Sequence, residues 1–110
     1  MTDLPRNMML EPAAVPLRKS DIVQEIAELL GVAAPAMSTG STEPRAIFVL
    51  VNDHLGLGLD NALGKPELAR AIVEASGERW SPDFESRGAT VTKSGLLAVL
   101  RAVHFFLDDR

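Results

Sequence analysis

One phrase occurs twice in this chain, and that repetition limits the fold more than any other feature. Ser38-Thr39-Gly40-Ser41-Thr42-Glu43-Pro44-Arg45 returns as Ser86-Arg87-Gly88-Ala89-Thr90-Val91-Thr92-Lys93, with Ser, Gly and Thr at the same spacing and a cation closing each copy. The segments in front of the two phrases also match. Lys19-Ser20-Asp21-Ile22 through Ile26, Glu28 and Gly31 reappears as Lys65-Pro66-Glu67-Leu68 through Ile72, Glu74 and Gly77. Self-similarity at a fixed period marks one supersecondary unit used more than once, because a single unit leaves its apolar face uncovered. The expectation is two helix–loop–helix copies, residues 19–58 and 65–108, packed about a pseudo-twofold axis.

Apolar periodicity gives the elements. Ile22, Val23, Ile26, Leu29 and Leu30 recur at steps of three and four and predict a first helix, with Gln24, Glu25 and Glu28 outside the stripe. Ser20 is the expected cap and Gly31 the left-handed stop. A second helix follows the first phrase. Thr42 or Ser41 is its expected cap, Pro44 is placed in its first turn, and Gly56 and Gly58 end it. Ile47, Phe48, Val51 and Leu55 share its inner face, while Arg45, Asn52 and Asp53 are read as pointing away. The bridge 57–64 is read as holding one turn capped by Asp60. Pro66 opens a third helix with Leu68, Ala69, Ile72 and Val73 inward and Gly77 as terminator.

A loop from Glu78 to Glu85, two residues longer than its first-half counterpart, carries Trp80, Pro82 and Phe84. The last helix, Thr92 to Asp108, is the most hydrophobic, and Leu96, Val99, Leu100, Val103, Phe106 and Leu107 are its buried stripe. No segment alternates with period two, so a sheet is not expected; Ala89-Thr90-Val91-Thr92 is the one candidate for a short strand. The fold class is all-α: a compact four- to five-helix domain, residues 19–110. Pro5, Pro12 and Pro16 among Met8, Met9, Leu10, Val15 and Leu17 make residues 1–18 an extended N-terminal arm, with a short helix around Met8–Leu10 as the alternative.

Composition narrows the chemistry. With 110 residues and 46% apolar content the chain is long enough for one real core. It has no cysteine, which excludes disulfides and thiolate metal sites. The N-terminus lacks the apolar core of a signal peptide and no run reaches membrane-spanning length, so a cytoplasmic location with no membrane partner is expected. The net charge of −4 is uneven: four basic against seven acidic groups in residues 1–56, seven against eight in 57–110. An anion-binding face must therefore be local, and the second half is the better place for it.

Enzymatic arrangements are poor. His54 and His104 fall on different helices in no metal-ligand spacing and read as partly buried helix histidines. Asp53, Asp60, Asp83 and Glu85 lack the alternation of a calcium loop. Ser38 and Ser86 have no histidine–acid partners. Gly56-x-Gly58 follows a helix where a dinucleotide loop needs a strand. No cofactor, no metal and no catalysis are expected.

The repeated phrase carries the one specific signal. Small residues and glycine ahead of a helix leave backbone N–H groups open at its positive end. Ser41, Thr42, Ser86, Gly88, Thr90 and Thr92 supply hydroxyls and open backbone there, and Arg45, Arg87 and Lys93 supply charge. Such a mouth suits phosphate. The same atoms serve plain helix capping, but a cap needs no cation, and a cation at a helix's positive end is mildly unfavourable. Trp80, the only tryptophan, lies in the longer loop beside Arg79. It reads either as a plug between the halves or as a stacking platform near Arg79 and Arg87.

Lys65-Pro66-Glu67-Leu68-Ala69 through Trp80, followed by Ser86-Arg87-Gly88-Ala89-Thr90-Val91-Thr92, resembles an accessory N-terminal region of bacterial restriction endonucleases. The likeness covers residues 38–107. It implies a specificity module with double-stranded DNA as partner, a nuclease domain in cis or in trans, and no catalysis, since neither an Asp…Glu-x-Lys core nor a His-Asn-His set is present. The DNA-binding residues it and the repeat point to are Ser41, Thr42, Arg45, Arg79, Trp80, Ser86, Arg87, Gly88, Thr90, Thr92 and Lys93. The other reading is a protein-interaction or dimerisation module that docks through Met8, Met9 and Leu10.

Overall fold

A stripe of Ile22, Val23, Ile26 and Ala27, all buried, makes α1 of Lys19–Leu30. The computed structural model describes residues 18–37, 43–85 and 90–108. The expected arm and the possible helix at Met8–Leu10 lie outside them. Gly31, at φ 75°, turns the chain out of α1 in the left-handed conformation that glycine adopts at least cost, and its N–H caps the carbonyl of Ala27. The start differs from expectation. Ser20 lies inside the helix and Arg18 flanks it; Asp21, in the first turn, accepts from the backbone N–H of Arg18 at 3.2 Å.

α2 spans Arg45–Leu55 and buries Ile47, Phe48, Val51 and Leu55. Pro44 precedes the helix in extended conformation rather than occupying its first turn. Its fixed φ and missing N–H suit the flanking position equally well. Ser41 and Thr42, the expected caps, lie outside the described residues. α3, Lys65–Ala75, has Pro66 at its second position and buries Leu68, Ala69, Ile72 and Val73. α4, Lys93–Asp108, buries Leu96, Ala98, Val99, Leu100, Ala102 and Val103. A 3-10 turn, Pro82–Phe84, precedes it. No strand occurs among the described residues. The segment suspected of strand character makes one antiparallel bridge, Val91 to Glu85.

The all-α expectation holds for the described residues. α1 packs on α2 and α4, and α3 packs on α2 and α4, so each helix touches two neighbours around a single apolar core. Residues drawn from all four helices are fully buried there, including Ile22, Phe48, Ile72 and Leu96. Burying each such side chain stabilises the fold by roughly 1.5–3 kcal/mol. Exchanging α1 with α3 and α2 with α4 leaves this list of neighbours unchanged.

The connection from α2 to α3 runs back along α2 and is clipped to it. Asn52, read from the sequence as outward, is buried. Its Nδ2 donates to the Leu59 carbonyl and to Asn61 Oδ1, each at 2.8 Å, and its Oδ1 accepts from the Leu59 N–H at 2.9 Å. A side chain that satisfies donor and acceptor of one returning residue belongs inside, whatever its place in the helical period. Asp60 closes the expected turn, accepting from Ala62 N–H at 2.9 Å. Nearer the start of α2, Arg45 donates through Nε and Nη2 to the Leu63 carbonyl, at 3.2 and 2.8 Å.

Candidate functional site

The first residue of every α-helix described is a cation: Lys19, Arg45, Lys65 and Lys93. Each opens a helix at the end where the peptide dipoles sum to about half a positive charge, so each is unfavourable for its own helix. The fold brings these four starts to one pole. The residue that gathers them is Glu43, two positions ahead of α2, whose side chain is completely buried.

Glu43 Oε1 accepts from Lys19 Nζ at 2.7 Å. Glu43 Oε2 accepts from the Val91 backbone N–H at 2.9 Å and lies 3.3 Å from Lys65 Nζ. Lys65 Nζ also donates to the Glu43 carbonyl at 3.0 Å. Thus α1, α3 and the lead-in to α4 all end on one carboxylate that itself leads into α2. Burial pushes the Glu43 carboxyl upward, but the hydrogen bonds from Lys19 and from the Val91 N–H outweigh it and hold the group below the ordinary glutamate value.

The geometry assigns the anion-seeking ends differently from expectation. Much of the negative charge that the helix starts attract comes from the protein's own Glu43. Sequence reasoning passed over Glu43, Lys19 and Lys65 as site residues. Two signals were there: lysines at the matched openings of both copies, and an acid in the first phrase where the second has valine.

Among the residues expected to bind DNA, Arg45 and Lys93 are both exposed and stand at the same pole, since their lead-in residues Glu43 and Val91 touch. Thr92 caps α4: its Oγ1 accepts from the Gly95 N–H at 3.2 Å and donates to the Asp83 carbonyl at 2.7 Å. Thr90 is half-buried. Trp80 is half-buried too. Its Nε1 donates to Glu85 Oε2 at 2.7 Å, and its ring meets Phe84 edge-on with centroids 5.1 Å apart. The indole is thus tied at its polar edge and packed, partly buried, against the core. Arg79 is exposed. It follows Glu78, which holds Arg101 in the body of α4 with two hydrogen bonds, away from the pole. That pairing raises the Arg101 pKa further. Ser41, Thr42, Ser86, Arg87 and Gly88 lie outside the described residues.

His54 and His104 are exposed rather than partly buried. Among the described residues no three His, Cys, Asp or Glu side chains are grouped to hold a metal ion. No helix described is long and apolar enough to cross a membrane. Comparison with known protein families, with curated proteins and with solved structures finds no match to the chain.

Proposed function

We propose that the chain is a non-catalytic DNA-recognition module, of the kind that serves a restriction-type nuclease in cis or in trans, which sets backbone phosphates against the pole where its helices begin. The observation that supports this reading is the cation on the first residue of all four described α-helices. At a helix's positive end each costs its own helix about 0.3–1 kcal/mol. Glu43 accounts for Lys19 and Lys65. Arg45 and Lys93 stay exposed at the matched ends of the repeated phrase. Arg45 is oriented by a neutral carbonyl, which leaves its charge uncancelled by that contact. The proposed duplication of the helix pair would place these two cations as equivalent contacts on one duplex.

The test is fluorescence anisotropy of a labelled duplex titrated with the full chain at two salt concentrations. Binding through two to four phosphates lowers log K by about 1.8–3.6 per decade of salt. Arg45→Ala with Lys93→Ala should weaken binding uniformly across sequences and flatten that slope by about 2. An unchanged affinity in a folded double variant removes those residues from the interface.

A second reading, an interaction or dimerisation module, draws on the opposite end of α4. Phe105 is 48% exposed there, edge-on to Phe106. Sedimentation of the chain and of Phe105→Lys decides it: a monomer in both cases at high concentration removes self-association.

A further inference from the structure

Two ammonium groups meet one carboxylate at the pole, and both are drawn inward: the side chains of Lys19 and Lys65 are 24% and 17% exposed, against none for Glu43. Lysine normally keeps its head in water even when its stem is covered. Here the heads are turned to Glu43 and the exposed cations of the same pole are Arg45 and Lys93. The two withdrawn lysines stand at matched places in the sequence, each opening the first helix of its half.

We infer that Glu43 is the domain's internal counter-anion, a residue that sets how strongly the pole attracts polyanions by withdrawing Lys19 and Lys65 from it. This rests on the DNA-binding reading for its consequence, though not for its chemistry. A phosphate approaching the pole competes with a carboxylate already in place, at hydrogen-bond distance, on desolvated donors. Preformed internal pairing of this kind costs no diffusional encounter, so the internal anion wins over a loosely held external one. Removing its charge while keeping its shape returns two cations to the pole.

The experiment compares the full chain with Glu43→Gln, whose amide oxygen can still accept from the Val91 N–H. In the salt-dependent anisotropy titration E43Q should bind the duplex more tightly at low salt, with a log–log slope steeper by about 0.9–1.8, one to two added phosphates. In parallel, thermal melts in sodium sulfate and in sodium chloride at matched ionic strength should show a larger sulfate-specific gain for E43Q than for the wild type. If the wild type binds no duplex, the DNA reading fails and the sulfate comparison alone decides on Glu43. Equal slopes, or equal sulfate gains where no duplex binds, overturn the inference. If E43Q does not fold, Lys19→Gln decides: a withdrawn Lys19 predicts an unchanged slope and an unchanged sulfate gain, and a drop in either overturns it.

Discussion

Glu43 and Val91 hold the same position in the two copies of the repeated phrase, and the side chain of the first accepts the backbone N–H of the second at 2.9 Å. The contact spans 48 residues of sequence. It joins the lead-ins of α2 and α4, and through Lys19 and Lys65 it joins the starts of α1 and α3 as well. A single acid there serves both lysines. Valine at the matching place contributes only its N–H to the cluster and its side chain to the core.

Truncating that acid has a large expected cost. Glu43→Ala leaves two partly buried ammonium groups and the Val91 N–H without their acceptor. Removing one partner of a buried ion pair destabilises by about 3–5 kcal/mol. For a domain of this size, 1 kcal/mol is about 4–8 °C in melting temperature, so the loss should be visible in a simple thermal scan. A loss under about 1 kcal/mol, measured by urea midpoint at unchanged m, means the cluster contributes little to the fold.

The same group gives a signed pH dependence. Its carboxyl titrates lower in the folded chain than in the unfolded one, where about 4.3 is ordinary. The unfolded state therefore binds the proton first as pH falls, and stability contributed by Glu43 is complete above that value and is lost as pH drops through the folded-state pKa. The urea midpoint should be flat near neutrality and decline below the ordinary glutamate range. Glu43→Gln should remove part of that decline; an identical acid limb in both proteins assigns it to other carboxylates.

Local signals carried the helices and missed the pole. Gly31 and Gly56, both at positive φ, stop α1 and α2 where the periodicity ends, and Pro66 marks the opening of α3. Those features act over a few residues, so they can be read from a few residues. Glu43 is different. Its burial is decided by lysines 24 and 22 residues away and by an amide 48 away, and nothing adjacent to it in sequence says so. Asn52 was misplaced for the same reason, because the loop that returns over it makes an outward helical position an inward one. The cap of α1 shows a smaller failure: Ser20 has the right chemistry two positions too late, and Asp21 does the work by accepting from Arg18.

Asn52 itself offers a sharp test. Asn52→Leu keeps the volume and removes acceptor and donor together, leaving both the N–H and the carbonyl of Leu59 unpaired in a part-buried site. Each unsatisfied buried group costs about 1–3 kcal/mol. Apolar burial of the new side chain offsets some of this, so a net loss of about 2 kcal/mol is expected. Hydrogen exchange at the Leu59 amide should speed up well beyond the global change. Unaltered protection there would mean that the loop is held by something other than this clip.

Gly95 sets two opposed effects against each other. It lies in the first turn of α4, where alanine would favour the helix by about 1 kcal/mol. A Cβ at this position would stand 2.5 Å from the Phe84 carbonyl oxygen and 2.6 Å from Val91 Cγ1. The first of these is backbone, fixed by the Thr92 N–H that donates to the same oxygen at 2.9 Å, and the second is a fully buried side chain. The carbonyl cannot give way without moving the 3-10 turn off α4. Overpacking of this kind costs about 1–3 kcal/mol and occasionally more, so it exceeds the propensity gain. Gly95→Ala should therefore lower the melting temperature, and Trp80, edge-on to Phe84, should report the displaced turn by a shift in its fluorescence. A stabilised variant with an unshifted spectrum would show that α4 and the turn are not in close contact at all.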